Sequence, residues 1–343
     1  MIWRFWENLE EYLKPNKVLA IFGPRQVGKT TLLKNYLGKL ELKYKLDSGD
    51  NITTQNILGS SDFKKIEEYV QNYRLLAIDE AQKIPNIGQA LKIIVDQIPG
   101  IFVIATGSSS FELSGQIGEP LTGRKTTLML YPLSQIELAK QKNPYELKNS
   151  LEEYLLFGGY PQVIKTDKKA EKIAVLQELT DSYLLKDILQ MERVKGSKIL
   201  VDLLRLLAFQ IGNEVSLTEL GTRLGLDYKT VGRYLDLLEK SYVLYNLRGF
   251  SRNLRQEVSK KSKYYFLDLG IRNALISNFN TLDLRDDQGK LWENFLVSER
   301  LKTQAYLKIN ANNYFWRTHN GKEIDWIEER EGKLFGFEFK YQA

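Results

Sequence analysis

Continuous apolar runs and stretches of helical spacing alternate along the first part of the chain. Val18-Leu19-Ala20-Ile21-Phe22, Leu75-Leu76-Ala77-Ile78 and Ile101-Phe102-Val103-Ile104-Ala105 contain no polar residue. Such runs mark strands buried on both faces, as in a parallel sheet. A helical pattern, Thr31-Leu32-Leu33-Lys34-Asn35-Tyr36-Leu37, follows the first run. Residues 134–190 read mainly as helix. Leu151–Phe157 stops at Gly158-Gly159, a helix terminator, and 170–191 carries apolar residues at helical spacing (Ile173, Leu176, Leu179, Tyr183, Ile188).

The pattern then changes. Helices are expected at 198–211, 217–224 and 228–240, with Ser216 and Glu219 placed as a capping box for the second. A strand at 243–247 follows. Helix, helix, short turn, helix and strand hairpin is the order of a winged helix. Leu220, Leu224, Val231, Leu235 and Leu238 would form its small core. In the tail, strands are expected at 263–267, 314–317, 322–327 and 334–340, and an amphipathic helix at 291–301.

The junction after the first strand carries the sharpest chemistry. Gly23-Pro24-Arg25-Gln26-Val27-Gly28-Lys29-Thr30-Thr31 is G-x-x-x-x-G-K-T between a strand and a helix, the context of a Walker A phosphate loop. Glycines let backbone N–H groups turn towards phosphates, and the helix N-terminus adds its positive end. Lys29 would reach the β and γ phosphates, and the Thr30 hydroxyl would ligate Mg²⁺. The second run ends in Asp79-Glu80. Asp79 would hold the Mg²⁺ shell, and Glu80 would polarise the attacking water. The third run ends in Thr106-Gly107-Ser108-Ser109-Ser110. P-loop ATPases with a catalytic glutamate carry a polar γ-phosphate sensor at the tip of the strand between the two Walker strands. Thr106, Ser108 and Ser109 are the candidates, with Ser108 counted among the cofactor-binding residues. Arg124 is placed as a catalytic arginine for the γ phosphate, acting in cis or from a neighbouring subunit.

Composition narrows the setting. The chain has 343 residues, no cysteine and one histidine, His319. Disulfides and Cys/His zinc sites are therefore excluded, and any metal would be held by oxygen ligands. Within the net charge of +6, residues 191–263 hold fourteen Lys/Arg against eight Asp/Glu. That makes the middle of the chain the natural place for a polyanion site. No stretch approaches the roughly 20 apolar residues of a membrane span, and the charged, aromatic N-terminus does not read as a signal peptide. A soluble cytoplasmic protein without a membrane partner is expected.

In order and spacing, GPRQVGKTTLL, LLAIDEAQK, IATGSSS and LTGRK resemble the prokaryotic AAA+-type ATPases. Tyr131-Pro132-Leu133-Ser134 and Phe157-Gly158-Gly159-Tyr160-Pro161 are similar to motifs of a subgroup carrying a C-terminal domain of uncharacterised function. The resemblance implies an α/β protein: a RecA-like parallel-sheet P-loop ATPase core with a helical lid, then a winged helix and a nuclease-like α/β domain. The expected boundaries are 1–133, 134–194, 195–258 and 259–343. ATP and Mg²⁺ are the implied cofactors, and DNA and a homo-oligomer are the expected partners.

Two further sites follow. If the third helix of the winged helix enters a major groove, Tyr228, Lys229, Thr230 and Arg233 lie where base edges are reached. Of these, Lys229, Thr230 and Arg233 are the expected DNA contacts. Arg248, Arg252, Arg255, Lys260, Lys261 and Lys263 would neutralise phosphates. In the tail, Glu293 on a helix, Asp325 on a strand and Glu338-Phe339-Lys340 on the next strand resemble the PD-(D/E)xK nuclease core. Glu293, Asp325 and Glu338 would hold a divalent metal, and Lys340 would position or activate the water. Lys340 stands three residues from the end of the sequence, so a core of this kind is expected to be truncated. ATP hydrolysis coupled to domain rearrangement on DNA is the expected function. A slow nucleotide switch controlling a protein–protein interaction, with a non-catalytic tail, is the alternative.

Overall fold

A computed structural model describes residues 2–107, 120–184, 197–251, 262–318 and 320–341. The chain forms two compact units, Trp3–Tyr131 and Pro132–Ala343.

The first unit is a layered α/β domain. Its strands are β1 (Val18–Phe22), β2 (Tyr44–Ser48), β3 (Leu75–Asp79), β4 (Phe102–Gly107) and β5 (Lys125–Met129). They lie in the order β2-β3-β4-β1-β5, and every pairing is parallel. β1 is buried along its whole length, and β3 is buried up to Asp79. The apolar runs are therefore centre strands covered on both faces. Helices α1 (Lys29–Leu37), α2 (Ile52–Gly59), α3 (Phe63–Val70) and α4 (Ile87–Gln97) form the crossover layers. The strand expected between the two Walker strands is there: β4 pairs with β1 on one side and β3 on the other.

The second unit opens with short helices α5 (Gln135–Leu138), α6 (Pro144–Asn149), α7 (Leu151–Phe157), α8 (Pro161–Lys165) and α9 (Lys169–Glu178). Three further helices follow, α10 (Ser197–Phe209), α11 (Leu217–Leu224) and α12 (Tyr228–Lys240), then α13 (Leu269–Leu275) and α14 (Gln288–Tyr306). The helices expected to form a lid on the first domain are thus part of the second unit. They are organised by α13, which is buried at every residue and packs against α7, α9 and α10. Asn273 donates from Nδ2 to the carbonyls of Leu155 and Leu156 at 3.0 and 2.9 Å, and Arg272 Nε donates to the Ala208 carbonyl at 2.8 Å. α13 therefore satisfies carbonyls near the C-terminal ends of α7 and α10 that those helices cannot satisfy themselves.

Strands β6 (Glu214–Val215), β7 (Leu244–Gly249), β8 (Ser262–Phe266), β9 (Asn312–Arg317), β10 (Glu323–Arg330) and β11 (Lys333–Phe337) form one sheet ordered β11-β10-β9-β7-β8-β6. This corrects the boundary expected at 258/259. It falls between β7 and β8, which pair antiparallel from Leu244↔Phe266 to Arg248↔Ser262. β7 also pairs in parallel with β9, through Arg248↔Tyr314 and Gly249↔Phe315. A single cluster, Leu247, Tyr265, Val297, Phe315 and Trp326, supplies the core under both halves of the sheet.

Candidate nucleotide site

The carboxyl ends of β1, β4 and β3 gather the Walker residues. The register sets Ile21 beside Thr106 and Ile78 beside Ala105, so Gly23, Thr106 and Asp79 emerge along one edge. Ligands of open parallel sheets bind outside that edge. Gly23, Gln26 and Gly28 all have positive φ, at 153°, 59° and 98°. Gly23 has a second constraint: a Cβ there would lie 2.0 Å from the Leu130 carbonyl oxygen. Beneath the loop, Pro24 and Val27 are buried. Arg25 is half-buried, and Gln26 and Thr31 face solvent.

α1 starts at Lys29 with Gly28 as its N-cap, no capping side chain and no acidic residue in its first turn. Its leading N–H groups carry the helix's positive end without a carboxylate to offset it, which suits an anionic ligand. Lys29 is buried, and its ammonium donates to the Gly23 and Pro24 carbonyls at 2.9 and 2.7 Å. Thr30 Oγ1 donates to Asp79 Oδ2 at 2.8 Å, and Thr106 Oγ1 donates to Asp79 Oδ1 at 2.5 Å. Thr106 in turn accepts from the Glu80 N–H at 3.2 Å. Glu80 has left-handed backbone (φ 51°), and its Oε2 accepts from Gln82 Nε2 at 2.6 Å. The donor set around Thr30 and Asp79 is all oxygen, as Mg²⁺ requires, so these residues fit that ion.

Two residues were not anticipated from the sequence. Gln82 holds the Glu80 carboxylate. Arg4, 8% exposed, donates to the Val27 carbonyl inside the loop at 2.8 Å and to the Tyr131 carbonyl at 2.6 Å. Gln82 does have a local signal, standing two residues from Glu80 in the LLAIDEAQK run. Arg4 has none, because the carbonyls it bonds, Val27 and Tyr131, are brought to it only by the fold. Of the sensor candidates, Thr106 stands at the site, and Ser108 and Ser109 lie outside the described residues.

Arg124 is not brought to the loop within its own chain. Its carbonyl accepts from the Val18 N–H at 2.9 Å, at the amino end of β1. β1 has five residues, so at 3.3 Å per residue Arg124 is about 16 Å of strand away from Gly23. Its side chain pairs with Asp96 at 2.5 Å.

The tail residues are arranged differently from a nuclease metal centre. Glu293 on α14 accepts from Tyr265 OH at 2.5 Å and faces the Lys263 ammonium at 3.3 Å. Lys263 also pairs with Glu323. Asp325 Oδ2 accepts from the Phe339 N–H at 2.7 Å. Burial pushes both Glu293 and Asp325 above the ordinary carboxylate range, with Lys263 opposing the shift in each. Glu338 and Lys340 are exposed and pair with each other at 3.1 Å. Among the described residues, no three His, Cys, Asp or Glu side chains form a metal-ligand set. The expected trio of Glu293, Asp325 and Glu338 is therefore not assembled, because a lysine stands among the carboxylates and Glu338 is turned to solvent.

On α12, Lys229 and Arg233 are exposed one turn apart. Thr230 is committed elsewhere: its hydroxyl donates to Asp227 Oδ2 at 2.5 Å as part of the helix cap. Arg252, Arg255, Lys260 and Lys261 lie outside the described residues. Among the described residues, no helix is long and apolar enough to cross a membrane.

Comparison with known proteins agrees with this geometry. A family model described as an AAA domain matches residues 15–139. Two models, each described as a domain of unknown function, match 148–282 and 288–343. An uncharacterized protein of Methanocaldococcus jannaschii is 25% identical over 348 residues, covering 95% of this chain and 75% of its own length. An uncharacterized protein of Mycobacterium tuberculosis is 28% identical over 345 residues, covering 97% and 72%. Among solved structures, the Walker-type ATPase of Pyrococcus abyssi superposes with a TM-score of 0.52 at 17% identity, over 79% of this chain and 93% of that one. At that identity the likeness speaks for the fold alone.

Proposed function

With an AAA-type P-loop domain at residues 15–139 as premise, we propose that the chain binds ATP with Mg²⁺, hydrolyses it, and uses the nucleotide state to rearrange its second unit on DNA. The observation that carries the ATPase reading is the meeting of Thr30, Thr106 and Glu80 around Asp79. Lys29 exchanges its loop carbonyls for β- and γ-phosphate oxygens, and the first turn of α1 takes the phosphates on its N–H groups. Thr30 and Asp79 would hold Mg²⁺, which would supply charge neutralisation to the phosphates. Glu80 accepts the proton of the attacking water once its carboxylate leaves Gln82. Thr106 links the Asp79 carboxylate to the Glu80 backbone, so a change at one is felt at the other. Arg124 reaches a γ phosphate only if a second copy of the chain presents it.

The DNA reading rests on the order helix, short strand, helix, helix, strand, strand from α10 to β8, with β6 and β7 both pairing β8. That is the winged-helix order, and Lys229 and Arg233 sit on its third helix. A protein partner is the second reading, supported by a groove between α10 and α11. There Phe209, 64% exposed, lies with Arg205 and Arg223. Hydrolysis measured with and without duplex and single-stranded DNA separates the two, with Glu80→Gln as the control for contaminating ATPase. DNA stimulation lost in Lys229→Ala/Arg233→Ala supports the first. Glu80-dependent hydrolysis that ignores DNA moves the weight to the second.

A further inference from the structure

We infer that the Lys263 ammonium is a built-in counter-ion standing where a nuclease-like domain would hold a divalent cation, and that it closes this carboxylate cluster to metal. Lys263 lies on β8, between β7 and β6, and its side chain is 2% exposed. Three acidic residues from two other elements surround it: Glu293 from α14, and Glu323 and Asp325 from β10. The ammonium bonds directly to Glu293 and Glu323, and its charge acts on Asp325.

The remaining valences of the cluster are taken as well. Tyr265, two residues along β8 and on the same face, donates to the Glu293 oxygen that Lys263 also faces. The backbone closes on the other oxygen, since a Cβ on Gly212 would lie 3.1 Å from Glu293 Oε2. Asp325 is held by the Phe339 N–H. The Phe315 ring lies 5.3 Å from the ammonium. An incoming divalent cation needs carboxylate oxygens at about 2.0–2.6 Å. It would have to push the ammonium out from between them, leaving a buried lysine without its partners. Because the lysine is tethered to the same chain, neither dilution nor a chelator removes it.

The test uses the full chain without nucleotide, so that the P-loop contributes no phosphate-bound metal, and Mn²⁺ as the probe. Mn²⁺ binding is followed by electron paramagnetic resonance, and thermal unfolding is measured with Mn²⁺ and with a chelator. In the native chain no Glu293-dependent Mn²⁺ site is expected, and the chelator leaves unfolding unchanged. Lys263→Ala is expected to gain a site at least tenfold tighter than any in the native chain, and to be stabilised by Mn²⁺. Adding Glu293→Gln should abolish that gain. Mn²⁺ bound by the native chain and lost in Glu293→Gln overturns the inference, and this measurement stands even if Lys263→Ala does not fold. A folded Lys263→Ala that gains no site overturns it too, since the carboxylates would then form no cation cage.

Discussion

Thr106 donates its hydroxyl hydrogen to Asp79 Oδ1 at 2.5 Å while its oxygen accepts the Glu80 N–H at 3.2 Å. One hydroxyl thus ties the carboxylate proposed to hold the metal to the backbone of the residue proposed to activate water. Thr106→Val keeps the shape and removes both bonds, leaving the half-buried Asp79 Oδ1 short of a donor, a loss of about 1–3 kcal/mol. Hydrolysis is expected to fall at least tenfold, with ATP affinity within about threefold of native (a factor of ten is about 1.4 kcal/mol). Steady-state turnover and fluorescent-nucleotide binding check this. A variant with native turnover would remove Thr106 from the machinery.

Glu80→Gln should separate binding from chemistry. The amide keeps the size and loses the base, so turnover should drop by about 10²–10⁴-fold while ATP still binds. Weakened binding to the same degree would mean that Glu80 holds the nucleotide and does not activate water.

Arg4 acts on the loop from outside the motif. Its bonds to the Val27 and Tyr131 carbonyls come from a charged donor, worth about 1.5–3 kcal/mol each before neighbours relax. Arg4→Ala should weaken ATP binding and lower the unfolding temperature of the first unit. Arg4→Lys should recover only part, because one ammonium replaces a forked guanidinium. Native affinity in Arg4→Ala, measured by titration calorimetry, would count against a positioning role.

Gly158 and Asp268 show how tightly the second unit is closed. Gly158 has φ 71°, and a Cβ on it would lie 2.1 Å from Asp268 Oδ1. Asp268 accepts from the Gly159 N–H at 2.7 Å, and burial holds its carboxyl above the usual range. Gly158→Ala should therefore cost more than about 3 kcal/mol, among the largest single-residue effects. Chemical denaturation followed by Trp fluorescence reads it, and a loss under about 1 kcal/mol would show that the loop yields easily.

The pH response of the second unit should carry a signature from Glu239. Burial pushes this carboxyl up to about 7, against the pull of Asn246, Arg248 and Lys240 and with Asp236 adding to it. Its ordinary value is about 4.3. A folded value above the unfolded one means that the native state binds the extra proton. The stabilisation is complete below the unfolded value and is lost as pH rises towards 7. Glu239→Gln should flatten this fall and leave the unit more stable at pH 8 by about 1 kcal/mol, allowing for the part of the carboxyl that water reaches. Unfolding curves from pH 5 to 8 decide it; an unchanged slope would mean that Glu239 titrates as an ordinary surface group.

The phosphate loop was legible because its signals are local: an apolar strand, glycines at fixed offsets and a helix starting at Lys29. What depended on lateral order was not. Arg124 directly precedes β5, the neighbour of the first Walker strand, yet a parallel sheet has two edges, and only the register Val18↔Lys125 reveals that it lies on the far one. The pairing of β7 with β9 links residues more than sixty positions apart, and no periodicity announces it. Lys263 reads as the polar start of a strand, and its burial depends on carboxylates contributed by α14 and β10.

The six-stranded sheet has a consequence for inheritance. Two separate family models divide the second unit, one ending at residue 282 and the next beginning at 288, yet β7 and β9 lie on either side of that seam and bond to each other. Cutting there would bare the backbone of both strands and halve the cluster of Leu247, Tyr265, Val297, Phe315 and Trp326. Neither piece could be exchanged alone between genes without carrying an open, adhesive strand edge. A rearrangement that keeps this protein folded must therefore bring a strand that pairs across this seam.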